Sequence, residues 1–289
     1  MPPPVFTMST LGRNGRFANQ LFQYAFLRIC AARRGASLQT PAWPGQELFG
    51  FHDAPIAAPA VRVINGEEAP DPDLYLNRDD PLGEHVEFWG YFQYHTRHYR
   101  PHQDFLRRLF TLRPELKGFF DGVISQIRAT GRPLVAIHLR RGDYGQAQFF
   151  RAPVRWYADW LRALPGGREP IVYLATEEPA AWAGAFHPRR VLHAGLLPNL
   201  PPALAFALDF YVLTQADALA ISNSSFSFMA AMLSERAAVF VRPTLEDRRL
   251  VSFDPWDAPV LLPRCLQPGE QEELDAVDQK VTPIARMQP

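Results

Sequence analysis

The chain has little cysteine, no net charge and no long apolar run. Of its 289 residues, only Cys30 and Cys265 carry a thiol, too few for a disulfide framework or a zinc cluster. The 30 basic and 30 acidic side chains cancel, which argues against a protein that coats nucleic acid or an anionic membrane. No stretch approaches the roughly 18 apolar residues of a membrane span, and no secretion signal opens the sequence. We therefore expect a cytoplasmic protein, at most loosely associated with the inner face of a membrane.

Lysine is almost absent as well. Lys117 and Lys280 are the only two, so 28 of the 30 basic residues are arginine. Arginine carries a planar, permanently charged guanidinium that suits carboxylate or phosphate. The hydrophobic fraction of 47% and the charged fraction of 21% are ordinary for a globular protein. The length allows one large domain or two of medium size.

Strands and helices are predicted to alternate along the chain. In the first half, a strand over 5–8 precedes a long helix over Phe17–Arg34, which Gly35 ends. In the second half, strands are predicted at 134–139, 171–175, 191–192, 218–222 and 237–241. Helices are predicted there at 203–214, at 225–233, and at 153–164 with proline in its first position. This order indicates an α/β fold whose parallel sheets bind ligands at the carboxyl ends of their strands.

We expect two domains and a tail. The boundary is predicted near residue 130, which gives an N-terminal domain over 1–130 and a second domain over 131–265. Residues 266–289 are mostly polar. They are interpreted as a tail that is poorly ordered.

The segment 138–143, His-Leu-Arg-Arg-Gly-Asp, gives the strongest local signal. It starts inside a predicted buried strand and ends in a glycine turn, so Arg140 and Arg141 lie at the strand's carboxyl end, which opens onto the ligand in such sheets. An arginine there can hold a phosphate with two parallel hydrogen bonds. Asp143 could brace one guanidinium or accept a proton. The alternative is an exposed Arg–Asp pair of little energetic value.

Asn223, Ser224 and Ser225 lie between a predicted strand and the helix that follows it. A helix N-terminus presents free N–H groups and a partial positive charge, so a diphosphate could bind there with the serine hydroxyls as further donors. The alternative is that these residues only cap the helix, which is favoured when the segment is considered alone. A second candidate anion site, at 138–143, lies at a neighbouring strand end of the same sheet, and this favours the ligand interpretation.

The segment 12–20 joins the first strand to the first long helix. Its backbone and side-chain amides could face a ligand closely. It contains neither the Gly-x-Gly-x-x-Gly of dinucleotide sites nor the Gly-Lys-Ser/Thr of nucleoside-triphosphate loops. The alternative is a turn followed by a helix cap.

Asp71-Pro72-Asp73 is a pair of carboxylates that could hold a divalent cation for a sugar nucleotide. The pair lies in a proline-rich loop rather than directly after a buried strand. We therefore expect no metal site.

A block of aromatic residues precedes residue 100: Phe88, Trp89, Tyr91, Phe92, Tyr94 and Tyr99. Such rings could form a platform for the apolar face of a sugar. Most of them are expected in the core, because aromatic side chains dominate burial. We expect at most two of them to be exposed for a ligand.

Taken together, these motifs resemble those of the bacterial α-1,2-fucosyltransferases and, more distantly, the wider group of α-1,2-, α-1,6- and protein O-fucosyltransferases. The signature His-x-Arg-Arg-x-Asp stands at 138–143. The opening Gly-Arg-x-Gly-Asn-Gln-x-Phe-Gln-Tyr-Ala is similar to 15–25, and a Gly-Tyr-Phe-Gln block stands at 90–93. A strand ending in Ser-Asp-Asp is similar to 173–178, and the late motif with Asn-Ser-Ser-Phe-Ser-Trp-Trp-Gly is similar to 209–231.

The likeness extends over residues 10–242, with the motifs in the expected order. The departures are Ala18 in place of a glycine, Glu177 and Glu178 in place of an aspartate pair, and Phe228, Met229 and Ala230 in place of Trp-Trp-Gly. They bear on acceptor choice and nucleobase contacts more than on the type of reaction.

The resemblance implies a GT-B fold of two Rossmann-like domains that face each other across a cleft, with the acceptor on the N-terminal side and the donor in the second domain. It also implies transfer of L-fucose from GDP-fucose to a galactose-type hydroxyl of a glycan or polysaccharide, in an α-1,2 linkage and with inversion. GDP-fucose is then a co-substrate, and no metal or other cofactor is expected. The alternatives are a transferase for another GDP-sugar and a non-catalytic GDP- or glycan-binding module.

The resemblance further implies roles in catalysis. Arg140 is the main candidate to stabilise the departing β-phosphate, with Arg141 near it. The helix start at Ser224 and Ser225 is a second anchor for the diphosphate. Asp143 is a candidate general base, although it could instead orient an arginine.

Other residues are implied in donor binding. His138 is expected to contact the nucleotide. Asn19 is expected to reach the donor sugar and its phosphate from the N-terminal domain, and is counted among the catalytic candidates. Gly15, Glu177 and Asn223 complete the predicted donor site.

Overall fold

The computed structural model describes residues 3–68, 71–165, 167–197 and 199–279. The chain divides into two compact units. The first contains the chain up to Lys117 together with Trp256–Val260, and the second contains Gly118–Pro255 and the chain from Leu261 onward. Each unit is built on a largely parallel sheet, which confirms the predicted α/β class.

Four short parallel strands form the sheet of the first unit: β1 (Val5–Thr7), β2 (Ser37–Gln39), β3 (Arg62–Asn65) and β4 (His85–Trp89). Their order across the sheet is β2-β1-β4-β3. The helices that begin in this unit are α1 (Phe17–Arg34), α2 (Pro44–Phe49), α3 (Asp73–Leu76), α4 (Gln103–Leu109) and α5 (Pro114–Arg128). The strand β1 confirms the first predicted strand.

Helix α1 has the predicted bounds because its sequence defines both its buried side and its end. Leu21 and Phe22 are fully buried, and the ring of Phe26 stacks on that of Phe92 with 4.0 Å between centroids. Gly35 follows the helix with a φ of 59°, and its N–H donates to the Ala31 carbonyl. A glycine in the left-handed region is a common helix end, because it has no Cβ to clash.

Six strands form the sheet of the second unit: β5 (Leu134–His138), β6 (Ile171–Ala175), β7 (Val191–Leu192), β8 (Ala218–Ala220), β9 (Val239–Thr244) and β10 (Arg249–Ser252). Their order is β10-β9-β8-β5-β6-β7, and only β10 is antiparallel to its neighbour. The helices are α6 (Val154–Ala163), α7 (Pro179–Trp182), α8 (Ala205–Gln215), α9 (Ser225–Leu233) and α10 (Glu270–Gln279). Across the described residues, no helix combines the length and the hydropathy needed to cross a membrane.

The predicted strands and helices of the second half are all present, and β6, β7 and α9 have the predicted bounds. Two helix starts differ. Helix α6 begins at Val154, so Pro153 lies just before the helix rather than at its first position. Helix α8 begins at Ala205, because Pro202–Leu204 form a separate short 3₁₀ turn.

The first unit ends earlier than the boundary predicted near residue 130. The division falls within α5, after Lys117. In the second unit, the ring of Phe120 lies 5.7 Å from that of Tyr211, and Asp121 accepts a hydrogen bond from the Tyr211 hydroxyl. These contacts with α8 place most of α5 in the second unit.

The interpretation of 266–289 as a poorly ordered tail is wrong for its first half, which contains α10. Leu274 of this helix is buried in the core of the second unit. Asp278 accepts hydrogen bonds from the backbone N–H groups of Val154 and Arg155, at 3.1 and 3.2 Å. A polar segment is therefore fixed by a buried apolar side chain together with hydrogen bonds and ion pairs from its polar residues. The last ten residues of the chain lie outside the described residues.

A partly buried carboxyl group lies between α8 and β6. Asp209 accepts a hydrogen bond of 2.7 Å from the Tyr173 hydroxyl. Burial raises the pKa of Asp209 to about 7, and the bond from Tyr173 offsets only part of that effect. The folded state thus retains a proton that the unfolded chain releases near pH 4.

This difference predicts a pH-dependent loss of stability. Between about pH 4 and 7 only the folded state keeps the proton, so the free energy of unfolding should fall as the pH rises, by up to about 4 kcal/mol from this group. Asp209→Asn should remove that contribution, because an amide oxygen can accept the same hydrogen bond without ionising. Urea unfolding at several pH values measures the effect. Glu272→Gln, at an exposed site on α10, is the control, and an Asp209→Asn profile as steep as that of the control would contradict the assignment.

Candidate functional site

The carboxyl ends of β5 and β8 adjoin in the second unit. The two strands pair in parallel, with Ile137 opposite Ala220. Just beyond that pair, His138 Nδ1 lies 2.9 Å from the Ser222 hydroxyl and 2.8 Å from the Ser227 hydroxyl. These contacts join the end of β5 to the segment that leads into α9. The expectation that the two candidate anion sites lie at neighbouring strand ends is confirmed.

His138 is a neutral, internal residue of this edge. Its side chain is buried, its ring lies 5.2 Å from that of Phe226, and burial lowers its pKa to about 3. The imidazole therefore carries no charge at neutral pH. It can position the two strand ends and offer a hydrogen bond, but it does not supply a cation.

Arg140 is held by two carboxylates at the end of β5. Its Nη2 donates to Asp143 Oδ1 at 2.6 Å, and its Nη1 pairs with Glu177 Oε1. The guanidinium carbon lies 5.5 Å from the centre of the Tyr144 ring. Of the two roles predicted for Asp143, the structure favours bracing the guanidinium. Glu177, expected to bind the donor, follows β6 and contacts Arg140.

Arg141 is engaged elsewhere. Its guanidinium lies 4.5 Å from the centre of the Trp182 ring, and its Nη2 donates to Asp278 Oδ2 at 3.3 Å. The side chain is buried, which lowers its pKa. This geometry corrects the expectation that Arg141 binds the donor beside Arg140, because its guanidinium is used to hold α7 and α10.

The start of α9 is capped and tied to a nearby loop. Ser224 Oγ accepts a hydrogen bond from the Phe226 N–H at 3.3 Å. Asn223 Nδ2 donates to the Gln148 carbonyl at 2.6 Å. Both residues are buried, whereas Ser225 is partly exposed. The capping alternative thus holds for Ser224.

The segment 12–20 forms a turn of the first unit that is fixed by side-chain amides. Gly15 has a φ of 79°, and a Cβ there would lie 2.4 Å from Asn19 Nδ2. Asn19 Oδ1 accepts a hydrogen bond of 2.7 Å from Gln93 Nε2. Gln20 Nε2 donates to the Gly15 carbonyl at 3.0 Å. Because glycine has no Cβ, position 15 leaves room for the Asn19 side chain, which bonds to Gln93.

The predicted metal candidate is part of a larger group than expected. Among the described residues, Asp71, Asp73 and His98 are the set of acidic and histidine side chains close enough to hold one ion. Asp73 Oδ1 already contacts His98 Nδ1 at 2.7 Å and Asn77 Nδ2 at 2.6 Å. Asp71 Oδ1 accepts the Asp73 N–H at 3.0 Å. These hydrogen bonds show that the three side chains stabilise the short helix α3.

The departures at 228–230 fill the core. Phe228, Met229 and Ala230 are all buried. The Phe228 ring lies 5.5 Å from that of Phe253 and 5.3 Å from the Arg242 guanidinium carbon. These substitutions therefore change packing inside the second unit rather than a surface that a ligand could reach.

Trp182, Asp278 and Gln93 were not identified as site residues from the sequence. The first two hold Arg141, and Gln93 holds Asn19. Gln93 belongs to the recognised Gly-Tyr-Phe-Gln block, which could have suggested it. Nothing near Trp182 or Asp278 in the sequence indicates a contact over such a separation.

The chain has relatives among curated proteins. No protein-family model matches the chain. It is 29% identical over 261 residues to galactoside α-(1,2)-fucosyltransferase 2 of the rabbit Oryctolagus cuniculus, covering 81% of this chain and 69% of the relative. It is 29% identical over 271 residues to galactoside α-(1,2)-fucosyltransferase 1 of Homo sapiens, covering 80% and 67%. The chain thus spans about two thirds of the length of these curated relatives, and their names agree with the α-1,2-fucosyltransferase part of the predicted resemblance.

Solved structures are similar in fold. Fucosyltransferase NodZ from Bradyrhizobium matches with a TM-score of 0.56 and 14% identity, over 88% of this chain and 99% of that one. A variant of Arabidopsis thaliana FUT1 in complex with GDP matches with a TM-score of 0.51 and 13% identity, over 89% and 73%. The fold is therefore of the predicted GT-B type, with two Rossmann-like units.

The contacts of Arg141 predict that its partner Asp278 contributes to the stability of the fold. Asp278→Ala should remove the partner of a buried guanidinium and two hydrogen bonds at the start of α6, at a cost of about 3 kcal/mol. Glu272→Ala, on the exposed side of the same helix, should change stability by no more than about 0.5 kcal/mol. Urea unfolding of both variants measures the difference. Equal midpoints would contradict a buried pairing of Arg141 with Asp278.

Proposed function

We propose that this protein is a galactoside α-1,2-fucosyltransferase, which moves L-fucose from GDP-fucose to a galactose-type hydroxyl with inversion. The support from comparison is the printed activity of the curated relatives, which match about 80% of the chain, together with the GT-B fold. The observation that carries the proposal is the setting of Arg140. Its guanidinium lies at the carboxyl end of β5, paired with Asp143 and Glu177, and His138 of the same strand contacts the segment that leads into α9.

A fixed cation is what this reaction needs. As the acceptor hydroxyl attacks and GDP leaves, positive charge develops on the sugar ring and negative charge on the β-phosphate. A preorganised donor at that position lowers the barrier, because it does not have to reorient during the reaction. Asp143 and Glu177 orient the guanidinium of Arg140, which has five N–H donors in all. Those not used by the carboxylates bind the diphosphate.

The start of α9 provides the second anchor of the diphosphate. Its first N–H groups and the helix dipole favour an anion. The hydroxyl of Ser225, at the first residue of α9, is partly exposed and adds a donor. His138, neutral and fixed by Ser222 and Ser227, contacts the nucleotide without adding charge.

Asp143 acts as a positioning residue rather than as the general base. Its carboxylate is engaged with Arg140 at 2.6 Å, and a base must instead reach the proton of the attacking hydroxyl. Asn19 remains the predicted ligand of the donor sugar in the first unit, held by Gln93.

The role of Arg140 predicts a loss of turnover without a loss of fold. Arg140→Ala should lower kcat by about 10²- to 10³-fold. Arg140→Lys should restore only part of it, since an ammonium keeps the charge but not the fork of donors. GDP release and fucose transfer are measured together, with circular dichroism as the check on folding. Arg162→Ala, which removes an exposed guanidinium paired with Asp159 on α6, is the control. A folded Arg140→Ala variant with near-normal turnover would overturn the proposal.

Donor choice and metal need can be read from one further assay. GDP-fucose turnover with a panel of β-galactosides should persist in excess chelator, because arginine and a helix start supply the positive charge. GDP-fucose should compete for the site more strongly than GDP-mannose. Loss of turnover in chelator, restored by a divalent cation, would contradict a metal-independent reaction. Stronger binding of GDP-mannose would favour another GDP-sugar, and absence of GDP release from both would favour a non-catalytic binding module.

A further inference from the structure

Two rings of the aromatic block are exposed. This agrees with the expectation that at most two of them would be. Trp89 is 44% exposed and Tyr91 is 38% exposed. The other four rings are buried or partly buried: Phe88, Phe92, Tyr94 and Tyr99. Exposed aromatic rings offer apolar surface that a ligand can cover.

These rings lie at the carboxyl end of β4. Trp89 is the last residue of the strand, and it is the register partner of Asn65 on β3. Its side chain points to the opposite face of the sheet from Phe88, whose ring packs on Phe6 and Phe26 with 5.3 Å between centroids. The carboxyl end of a parallel strand is where α/β units bind ligands.

The turn that presents the rings is rigid. Gly90 has a φ of 142°, and a Cβ there would lie 3.1 Å from Glu67 Oε1 and 3.3 Å from the Gly66 Cα. Glu67 Oε1 accepts the Tyr91 N–H at 2.6 Å. On the other side of the turn, the Tyr94 hydroxyl donates to the Gly66 carbonyl at 2.8 Å. The backbone that carries the two rings is therefore held in place by hydrogen bonds.

Within the first unit, hydrogen bonds connect the same turn to Asn19, the residue predicted to bind the donor sugar. Gln23 Nε2 donates to the Gly90 carbonyl at 3.2 Å. Three residues after Gly90, Gln93 Nε2 donates to Asn19 Oδ1 at 2.7 Å. The exposed rings and Asn19 thus belong to one connected part of the first unit.

A carboxylate lies on the same face of β4. Glu87 precedes Trp89 by two residues, so their side chains share a side of the sheet. Glu87 Oε1 accepts the N–H and the hydroxyl of Ser9, both at 2.7 Å, and Oε2 accepts the Thr7 hydroxyl. An ionised carboxylate offers about four acceptor positions, so these three bonds leave room for one more donor, such as a sugar hydroxyl.

We propose that Trp89 and Tyr91 form the platform on which the acceptor galactoside stacks. This inference rests on the proposed function. The rings take the apolar C–H face of a terminal β-galactose, and Glu87 accepts a hydrogen bond from one of its hydroxyls. The ligand class is a neutral sugar, because Glu67 and Glu87 flank the rings with negative charge and repel a carboxylated or sulfated one.

The platform is tested with lactose as the acceptor and GDP-fucose as the donor. Trp89→Ala and Tyr91→Ala should each raise the KM for lactose about tenfold, as expected for the loss of roughly 1.4 kcal/mol of stacking. The KM for GDP-fucose and the slow release of GDP without acceptor should stay within twofold. Trp89→Phe should recover most of the affinity, because it retains a ring. Phe119→Ala is the matched control, since Phe119 is 41% exposed in the second unit.

Saturation-transfer NMR of lactose supplies a readout that is independent of turnover. Its signal should disappear in the double variant Trp89→Ala/Tyr91→Ala and persist in Phe119→Ala. Unchanged lactose KM and NMR signal in the platform variants would overturn the inference while the wild-type protein still transfers fucose. Equal loss of acceptor-independent GDP release would also overturn it, because it would indicate a general defect. A wild-type protein that never releases GDP from GDP-fucose would instead refute the proposed function, and lactose binding would then decide the platform alone.

Discussion

Two ion pairs, with Asp143 and Glu177, fix the orientation of the Arg140 guanidinium, on which the proposed chemistry depends. Asp143 comes from the same loop and Glu177 from the end of the next strand, so the guanidinium is correctly placed only when β5 and β6 are paired. An arginine without such partners would sample many rotamers in water. The sheet is therefore part of the site, because its register determines where positive charge lies.

Much of this organisation follows from the sequence because it depends on local patterns. The apolar runs that form β5 and β6 are fully buried, and a buried parallel sheet leaves its polar side chains at the strand ends. That reasoning located Arg140 and the Asn223–Ser225 segment, and the pairing of β5 with β8 makes the two strand ends that carry them adjacent. Gly35 marked the end of α1 for an equally local reason, the need for a left-handed backbone.

Contacts between distant segments could not be predicted in the same way. Arg140 and Arg141 are chemically identical neighbours, yet one lies at the strand end and the other is buried against Trp182 and Asp278. Only the tertiary arrangement distinguishes them. The polar composition after residue 266 suggested disorder, because composition does not show that Leu274 would reach the core. The division within α5 likewise depends on contacts with Tyr211, about 90 residues away.

Helix α10 stabilises other parts of the second unit. Its Asp278 satisfies the first N–H groups of α6. Asp275 pairs with the Arg151 guanidinium, and the Arg151 backbone N–H donates to Gln271 Oε1 at 2.8 Å. A shortened version of the protein that ends before Asp278 would leave the buried Arg141 and the first N–H groups of α6 without this carboxylate.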